Sequence, residues 1–273
     1  MKEIKKAKTE SAVTGVLFIL PVLACVVPFV LMALISLTQK RVVNLNFSLS
    51  EMDFQNYDKL FRNFSFFTYL LNSIIVVGMS CLLNCFISGL AGYSFAKKRF
   101  PLQKQIFWLY MITLMVPNQV ILIPVFTIMR SMGLLNTHLA LSLPIINAFG
   151  VFLIKQFMES VPDELLEAAR MDGCGEFRIF THIVVPLVKP VFVSLTVFTF
   201  ITSWNDFIWP LVLITENKMN TLTLALASLQ GNYGTNYGLV MAGATLAFLP
   251  PFILYLFLQR QFVEGIALSG IKG

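Results

Sequence analysis

The sequence predicts an all-α integral membrane protein with six transmembrane helices and both termini in the cytoplasm. Three observations carry this reading. The 273-residue chain is 57% hydrophobic and 12% charged, with a mean hydropathy of +0.77, and a soluble fold has too little polar surface to cover so much apolar chain. A cytosolic enzyme is thereby excluded. The charges are clustered, leaving charge-free runs at 11–39, 63–96, 105–129, 131–154 and 219–259, and a sixth at 190–205 that resumes after Asp206. A helical span needs about 20 apolar residues. Finally, the basic residues divide unevenly between alternate loops.

The first span, 13–37, follows Lys2, Lys5, Lys6 and Lys8. It exceeds the roughly 7–15 residues of a signal-peptide core and reads as a retained helix. The second, 70–96, carries Cys81 and Cys85 on one face, where small apolar filling is the expected role. The third, 106–129, contains Pro117, Asn118, Gln119 and Pro124, and the fourth covers 138–158. The fifth, 187–213, is entered through Pro186 and Pro190 and includes Asp206; the sixth is 239–258. Bundled spans tolerate such prolines because neighbouring helices satisfy the freed backbone groups. Barrel strands alternate over roughly ten residues, a period that Ile106 to Met111 and Phe192 to Phe200 lack.

With these spans, fourteen basic residues fall on one side, among them Lys97, Lys98, Lys155, Arg170 and Lys189, and six on the other, Lys40, Arg41, Lys59, Arg62, Arg130 and Lys218. Positive charge favours the cytoplasm, which places the termini and the 159–182 loop inside and the 38–69 and 214–238 segments outside. No basic patch interleaved with aromatics suggests nucleic acid.

The inner loop after the fourth span carries most of the information. Pro162, Asp163 and Glu164 make a good helix start, Leu165, Leu166 and Ala169 give it an apolar side, and Gly173 ends it. A second short helix is expected from Gly175 to about Thr181, with Phe177 and Phe180 on one face.

Glu167-Ala168-Ala169, three residues, Gly173, nine residues, Ile183, one residue and Val185-Pro186 resemble the EAA loop in membrane subunits of binding-protein-dependent ABC importers. Val185 stands where that family usually has leucine, and Cys174 where alanine is common. Trp204-Asn205-Asp206-Phe207, Trp209-Pro210-Leu211, Leu249-Pro250, Gln259 to Val263, Gly265 and the terminal Gly270 to Gly273 look like sugar-importer permeases of the maltose-transporter type, nearest the smaller six-span partner.

That resemblance implies a type I ABC permease architecture: residues 1–66 as tail, first helix and outer loop, 67–260 as the permease core with the EAA loop at about 159–186, and 261–273 as a cytoplasmic tail. It implies a related permease partner, two ATPase subunits, an extracytoplasmic solute-binding protein and, as substrate, a sugar, an oligosaccharide or glycerol phosphate. ATP and Mg would be used by the ATPase, with no cofactor or metal on this chain. Glu167, Ala168, Ala169, Asp172, Gly173, Phe180, Ile183 and Pro186 are the expected ATPase-coupling residues.

Polar groups inside spans usually face a cavity or another helix. Asn118, Gln119, Asn147, Trp204, Asn205 and Asp206 are therefore candidates for the translocation path. Amides gluing helices together and tryptophans anchored at an interface are the open alternatives. Asn72 and Asn84 are weaker candidates. Outside, Gln230, Asn232, Tyr233, Asn236 and Tyr237 either contact the binding protein or form a plain solvated loop.

There is no phosphate-binding Gly-x-x-x-x-Gly-Lys-Ser/Thr sequence, no nucleophile with a base and no metal-ligand spacing, so no catalytic residue is assigned. His138 and His182 receive no role. The competing reading is a self-sufficient ion-coupled transporter using Asp206 and Lys155, which would require repeats that the sequence does not display.

Overall fold

The computed structural model describes residues 2–39, 52–232 and 236–270, with side chains over 19–39, 52–229 and 236–259. All regular structure among the described residues is helical. The chain forms two compact units, one of Met1–Phe66 with Leu226–Pro250, the other of Phe67–Ala225 with Pro251–Gly273.

In the first unit, α1 (Lys2–Ser36) contains Pro21 and Pro28 without breaking. Helix α2 (Gln55–Asn63) is fixed by buried Asn56, whose amide donates to the Ser36 and Thr38 carbonyls at 2.9 and 2.8 Å. Gly238 lies against the same Thr38 carbonyl and Asn56 amide, where any Cβ would overlap them. Leu60, Leu229, Leu239 and Ala242 pack together as this unit's core.

In the second unit, α3 (Phe66–Lys97) spans about 48 Å at 1.5 Å per residue. It is followed by α4 (Gln103–Ile112), a 3-10 turn (Thr113–Met115), α5 (Asn118–Ser131), α6 (His138–Ser142) and α7 (Ala148–Glu159). Next come α8 (Asp163–Met171), α9 (Glu176–Ile179), a π turn (Phe180–Val184), α10 (Val185–Leu187), α11 (Lys189–Trp204) and α12 (Ile208–Leu213). Helix α13 (Leu222–Asn232) leads into the first unit, and α14 (Tyr237–Gly270) ends the described chain.

A seam of small polar side chains joins α3 to α11. Asn84 donates to Thr199 Oγ1 at 2.8 Å and accepts from Ser88 at 3.0 Å, Ser203 meets Ser80 at 3.2 Å, and Cys85 lies 3.3 Å from Thr196 Oγ1. Small residues let backbones approach, and internal hydrogen bonds replace the water that lipid excludes. Cys81 Sγ donates to the Thr196 carbonyl at 3.6 Å, so both cysteines belong to a hydrogen-bonded seam rather than simple apolar filling, and Asn84 is helix glue. Gly150 and Gly92 continue the close approach to α7: a Cβ at Gly150 would strike Ser88, and one at Gly92 would lie 2.7 Å from Ile154.

Among the described residues, three helical stretches are individually long and apolar enough to cross a membrane, Ile19–Ser36, Phe66–Lys97 and Tyr237–Gln259, and three bent pairs raise the total to as many as six. The expected third span is not one rod: its halves meet at 105°. Val116 is extended (ψ 116°) before Pro117, because a proline ring pushes the preceding residue out of helical space. The pair that forms the expected fourth span bends by 53°, with Asn147 capping α7.

The expected fifth span also differs. The helical segment ending at Leu187 meets α11 at 82°, and α11 stops at Trp204, three residues before α12. The 214–238 segment, expected to lie outside as a polar loop, instead contains α13. Leu222, Ala225 and Leu229 recur at helical spacing and are buried, which overrides the polar composition further along.

Candidate functional site

The motif-bearing loop is a helix-turn-helix. Pro162 is extended and hands over to α8, with Asp163 and Glu164 in the first turn. At the other end Gly173 adopts φ +79°, its N–H donates to the Arg170 carbonyl and that of Cys174 to the Ala169 carbonyl, both at 3.0 Å. This is a left-handed helix stop, which glycine accepts without the strain a Cβ would add. Nothing lies within 4 Å of a Cβ built there, so backbone conformation alone sets the requirement.

Leu166, Ala169, Ile179, Phe180 and Val184 are buried with Tyr93, Ile154 and Met158. The opposite surface presents Glu167, Ala168, Asp172 and Gly173 together with exposed Leu165, Met171 and Phe177. Of the expected coupling residues, Glu167, Ala168, Asp172, Gly173 and Pro186 are exposed, Ile183 is half-buried, and Ala169 and Phe180 face inward. Phe180 packs its ring 5.4 Å from that of Tyr93, so it supports the surface from beneath. The second helix also runs past Thr181 through the π turn, and Phe177 and Phe180, expected on one face, differ in burial: Phe177 is exposed and Phe180 buried.

The sequence reading missed the residues that hold this loop in place. Lys97, with a side chain only 4% exposed, donates to the Val161 carbonyl at 2.5 Å and to Asp163 at 2.7 Å. Glu176 pairs with Lys98, accepts from Arg170 Nε at 3.0 Å and accepts from the Tyr93 hydroxyl at 2.9 Å. The Lys98 bond, with Tyr93 and Arg170, holds the Glu176 carboxyl down to about 2 against the opposing effect of burial. Lys97 likewise keeps Asp163 below its ordinary value.

A cavity of about 800 Å³ opens where α4, α5, α7 and α11 approach, within the usual range of roughly 300–1,000 Å³ for small-molecule sites. Its polar lining comes from Tyr110, Thr113, Asn118, Asn147 and Thr202, and its aromatic part from Phe149 and Phe198, whose rings are 4.8 Å apart. No Asp, Glu, Lys, Arg or His is among the lining residues.

Two of the six expected path residues, Asn118 and Asn147, meet at this cavity; Gln119, Trp204, Asn205 and Asp206 do not. Asn147 also caps α7, accepting from Gly150 N–H at 3.2 Å. Trp204 is buried and stacks on Phe200 at 5.7 Å. Asn205 donates to the Ile201 carbonyl at 2.9 Å at the end of α11. Asp206 accepts from the N–H groups of Ile208 and Trp209 at 3.1 and 3.3 Å, so this carboxylate caps α12. Lys155, the other residue of the ion-coupled reading, pairs with Glu159 at 2.5 Å. Tyr110, Thr113 and Thr202 were missed because isolated hydroxyls in apolar runs carry no distinctive spacing.

Of the expected outer contacts, Tyr233 and the side chains of Gln230 and Asn232 lie outside the described residues. Asn236 accepts from Leu239 N–H at 3.2 Å at the start of α14, and Tyr237 is half-buried.

Residues 86–267 match the family described as "Binding-protein-dependent transport system inner membrane component". The chain is 36% identical over 233 residues to the arabinooligosaccharides transport system permease protein AraQ of Bacillus subtilis, covering 85% of this chain and 83% of that protein. It is 39% identical to the lactose transport system permease protein LacG of Rhizobium radiobacter, over 74% of each chain. It is 38% identical to the sn-glycerol-3-phosphate transport system permease protein UgpE of Yersinia pestis, over 72% and 71%. Among solved structures, a chain of a bacterial ABC transporter that imports the acidic polysaccharide alginate superposes with TM-score 0.80 at 22% identity, over 93% of this chain and 96% of that one.

Proposed function

The chain belongs to the family of inner membrane components of binding-protein-dependent transport systems, and we propose that it is the permease subunit that passes a neutral saccharide inward through an ATP-driven importer. The observation that carries this reading is continuity between loop and cavity. Helix α7 begins beside the cavity at Asn147 and Ala148 and ends at Glu159, just before the loop; α11 leaves the loop at Lys189 and returns to the cavity at Phe198 and Thr202. Each path is about 18–20 Å of rigid helix. Displacing the loop therefore tilts two walls of the cavity.

In this reading the loop faces the cytoplasm together with both termini, as the positive charges favour. Glu167 and Asp172 offer acceptors, Ala168 and Gly173 allow close approach, and Leu165, Met171 and Phe177 supply apolar contact to an ATPase subunit. The assembly comprises this chain, a related permease, two ATPase subunits that use ATP and Mg, and an extracytoplasmic binding protein that delivers the sugar. This chain itself contributes no catalytic group. Hydroxyl and amide groups beside aromatic faces suit a sugar, whereas a phosphate ester buried without a cationic partner would lose its hydration uncompensated. The lining thus supports a neutral saccharide over glycerol phosphate.

Reconstitution of the chain with its partner permease, ATPase and binding protein tests the proposal. Glu167→Lys is expected to abolish binding-protein-stimulated ATP hydrolysis while membrane insertion persists. Ion-driven uptake by the chain without an ATPase would overturn it.

A further inference from the structure

We propose that Glu176 is a positioning residue that fastens the coupling loop to the C-terminal end of α3, so that loop displacement drives α3 as well as α7 and α11. The proposal rests on the docking role assigned to the loop above. Helices α7 and α11 are joined to the loop through the chain, but α3 is not: Tyr93 and Glu176 are 83 residues apart. Any force on α3 must pass through side chains.

Those side chains converge on one carboxylate. Glu176 Oε1 takes Lys98 and, at 3.0 Å, Arg170 Nε, while Oε2 takes the Tyr93 hydroxyl at 2.9 Å. Tyr93 belongs to the end of α3, Lys98 directly follows its last residue, and Arg170 lies in the last turn of α8. One group at the start of α9 thus links both loop helices to α3. A second tie, from Lys97 to Asp163 and the Val161 carbonyl, holds the beginning of α8 to the same end.

These ties have a direct mechanical partner. Beneath them the Tyr93 and Phe180 rings pack at 5.4 Å, and further along, α3 is bonded to α11 by Asn84 with Thr199 and Ser80 with Ser203. Fastened at its end and zipped along its length, α3 moves with the loop and α11 as one body. Without Glu176 the loop keeps its chain connections, its apolar underside and the Lys97 tie at the beginning of α8, but loses the joint that links α9 and Arg170 to α3. Exposed single pairs contribute little to stability, so the effect falls on transmission more than on folding.

The experiment uses the assembled transporter in detergent, with the four native cysteines replaced. Spin labels are placed at Arg178 on the loop, outside the assigned docking residues, and at Leu82 on α3, both exposed. With Glu176 intact, the label distance is expected to be narrow and equal in the nucleotide-free and vanadate-trapped states. Glu176→Gln is expected to broaden it and to reduce binding-protein-stimulated ATP hydrolysis at least threefold while the ATPase still co-purifies. Lys98→Met should follow Glu176→Gln, and Lys98→Arg should restore the parent behaviour. An unchanged narrow distance, or a broadened one with stimulation intact, overturns the proposal; so does a fall in assembly that Lys98→Arg shares equally. Failure of the ATPase to co-purify with the parent chain would instead sink the docking assignment itself.

Discussion

His138 Nε2 lies 3.0 Å from Asn72 Oδ1, while the Asn72 amide nitrogen donates to the Lys218 and Asn220 carbonyls at 2.9 and 3.0 Å. The two carbonyls fix the orientation of the amide, so its oxygen faces the imidazole and Nε2 carries the proton. One side chain near the start of α3 thereby ties α6 to the segment before α13. Asn72→Leu would leave two carbonyls and an imidazole without partners, at about 1–3 kcal/mol for each buried group left unsatisfied. A clear loss of thermal stability in detergent is expected, with earlier proteolytic cleavage around 216–221.

Gly173 tests the loop's turn separately from its surface. Because only φ is demanding there, Gly173→Ala should destabilise the turn by about 1–2 kcal/mol, the usual penalty for a Cβ in left-handed space. Gly173→Asn should cost less. Cleavage of the loop by an added protease measures the order, and equal behaviour of the two variants would contradict the assigned turn.

The Glu176 clasp has a defined acid dependence. Its carboxyl is held at about 2 when folded against an ordinary 4.5, so the stabilisation is fully present above about 4.5 and is lost as pH falls through about 2. The side chain is 47% exposed, so solvent screening keeps the contribution small. Loop protection from proteolysis or hydrogen exchange should fall over that window in the parent and lose this component in Glu176→Gln.

At the helix seam, Gly150→Ala would drive a methyl into Ser88. Overpacking of this kind costs about 1–3 kcal/mol, so reduced thermal stability is expected. Ser88→Ala should relieve part of it, giving a non-additive double-mutant cycle.

Within the cavity, Thr202→Lys places a cation where the lining is uncharged. Uptake of a neutral saccharide delivered by the cognate binding protein should fall at least tenfold, and Thr202→Val should reduce it less. Equal uptake by parent and lysine variants would exclude Thr202 from the path.

How much was legible in the sequence depended on distance along the chain. The loop's helix, its proline start and its glycine stop are local signals, and they could be read directly. The ties that hold the loop join residues as far apart as Tyr93 and Glu176, and no spacing rule connects them. Asp206 was misread for the opposite reason. A carboxylate in an apolar run suggested a polar path, yet its two backbone contacts lie only two and three residues ahead, a capping pattern visible in the sequence once a break after Trp204 is allowed. Helix α13 was hidden by the composition of the residues that follow it, although Leu222, Ala225 and Leu229 carry its period. Of the residues lining the cavity, Asn118 and Asn147 stand out in the sequence because bare amides among apolar residues are conspicuous, whereas the hydroxyls of Tyr110, Thr113 and Thr202 do not.

The π turn at Phe180–Val184 makes chain length a design variable. Such a turn holds one residue more than an α-helical one. Deleting any one residue within it would let an ordinary α-helical turn close instead, leaving the flanking helices near their present facing. The acidic group at position 176 would then still reach the lysine at 98. A single deletion should therefore be tolerated better inside this turn than in the regular helix on either side, where it rotates one flank by about 100°.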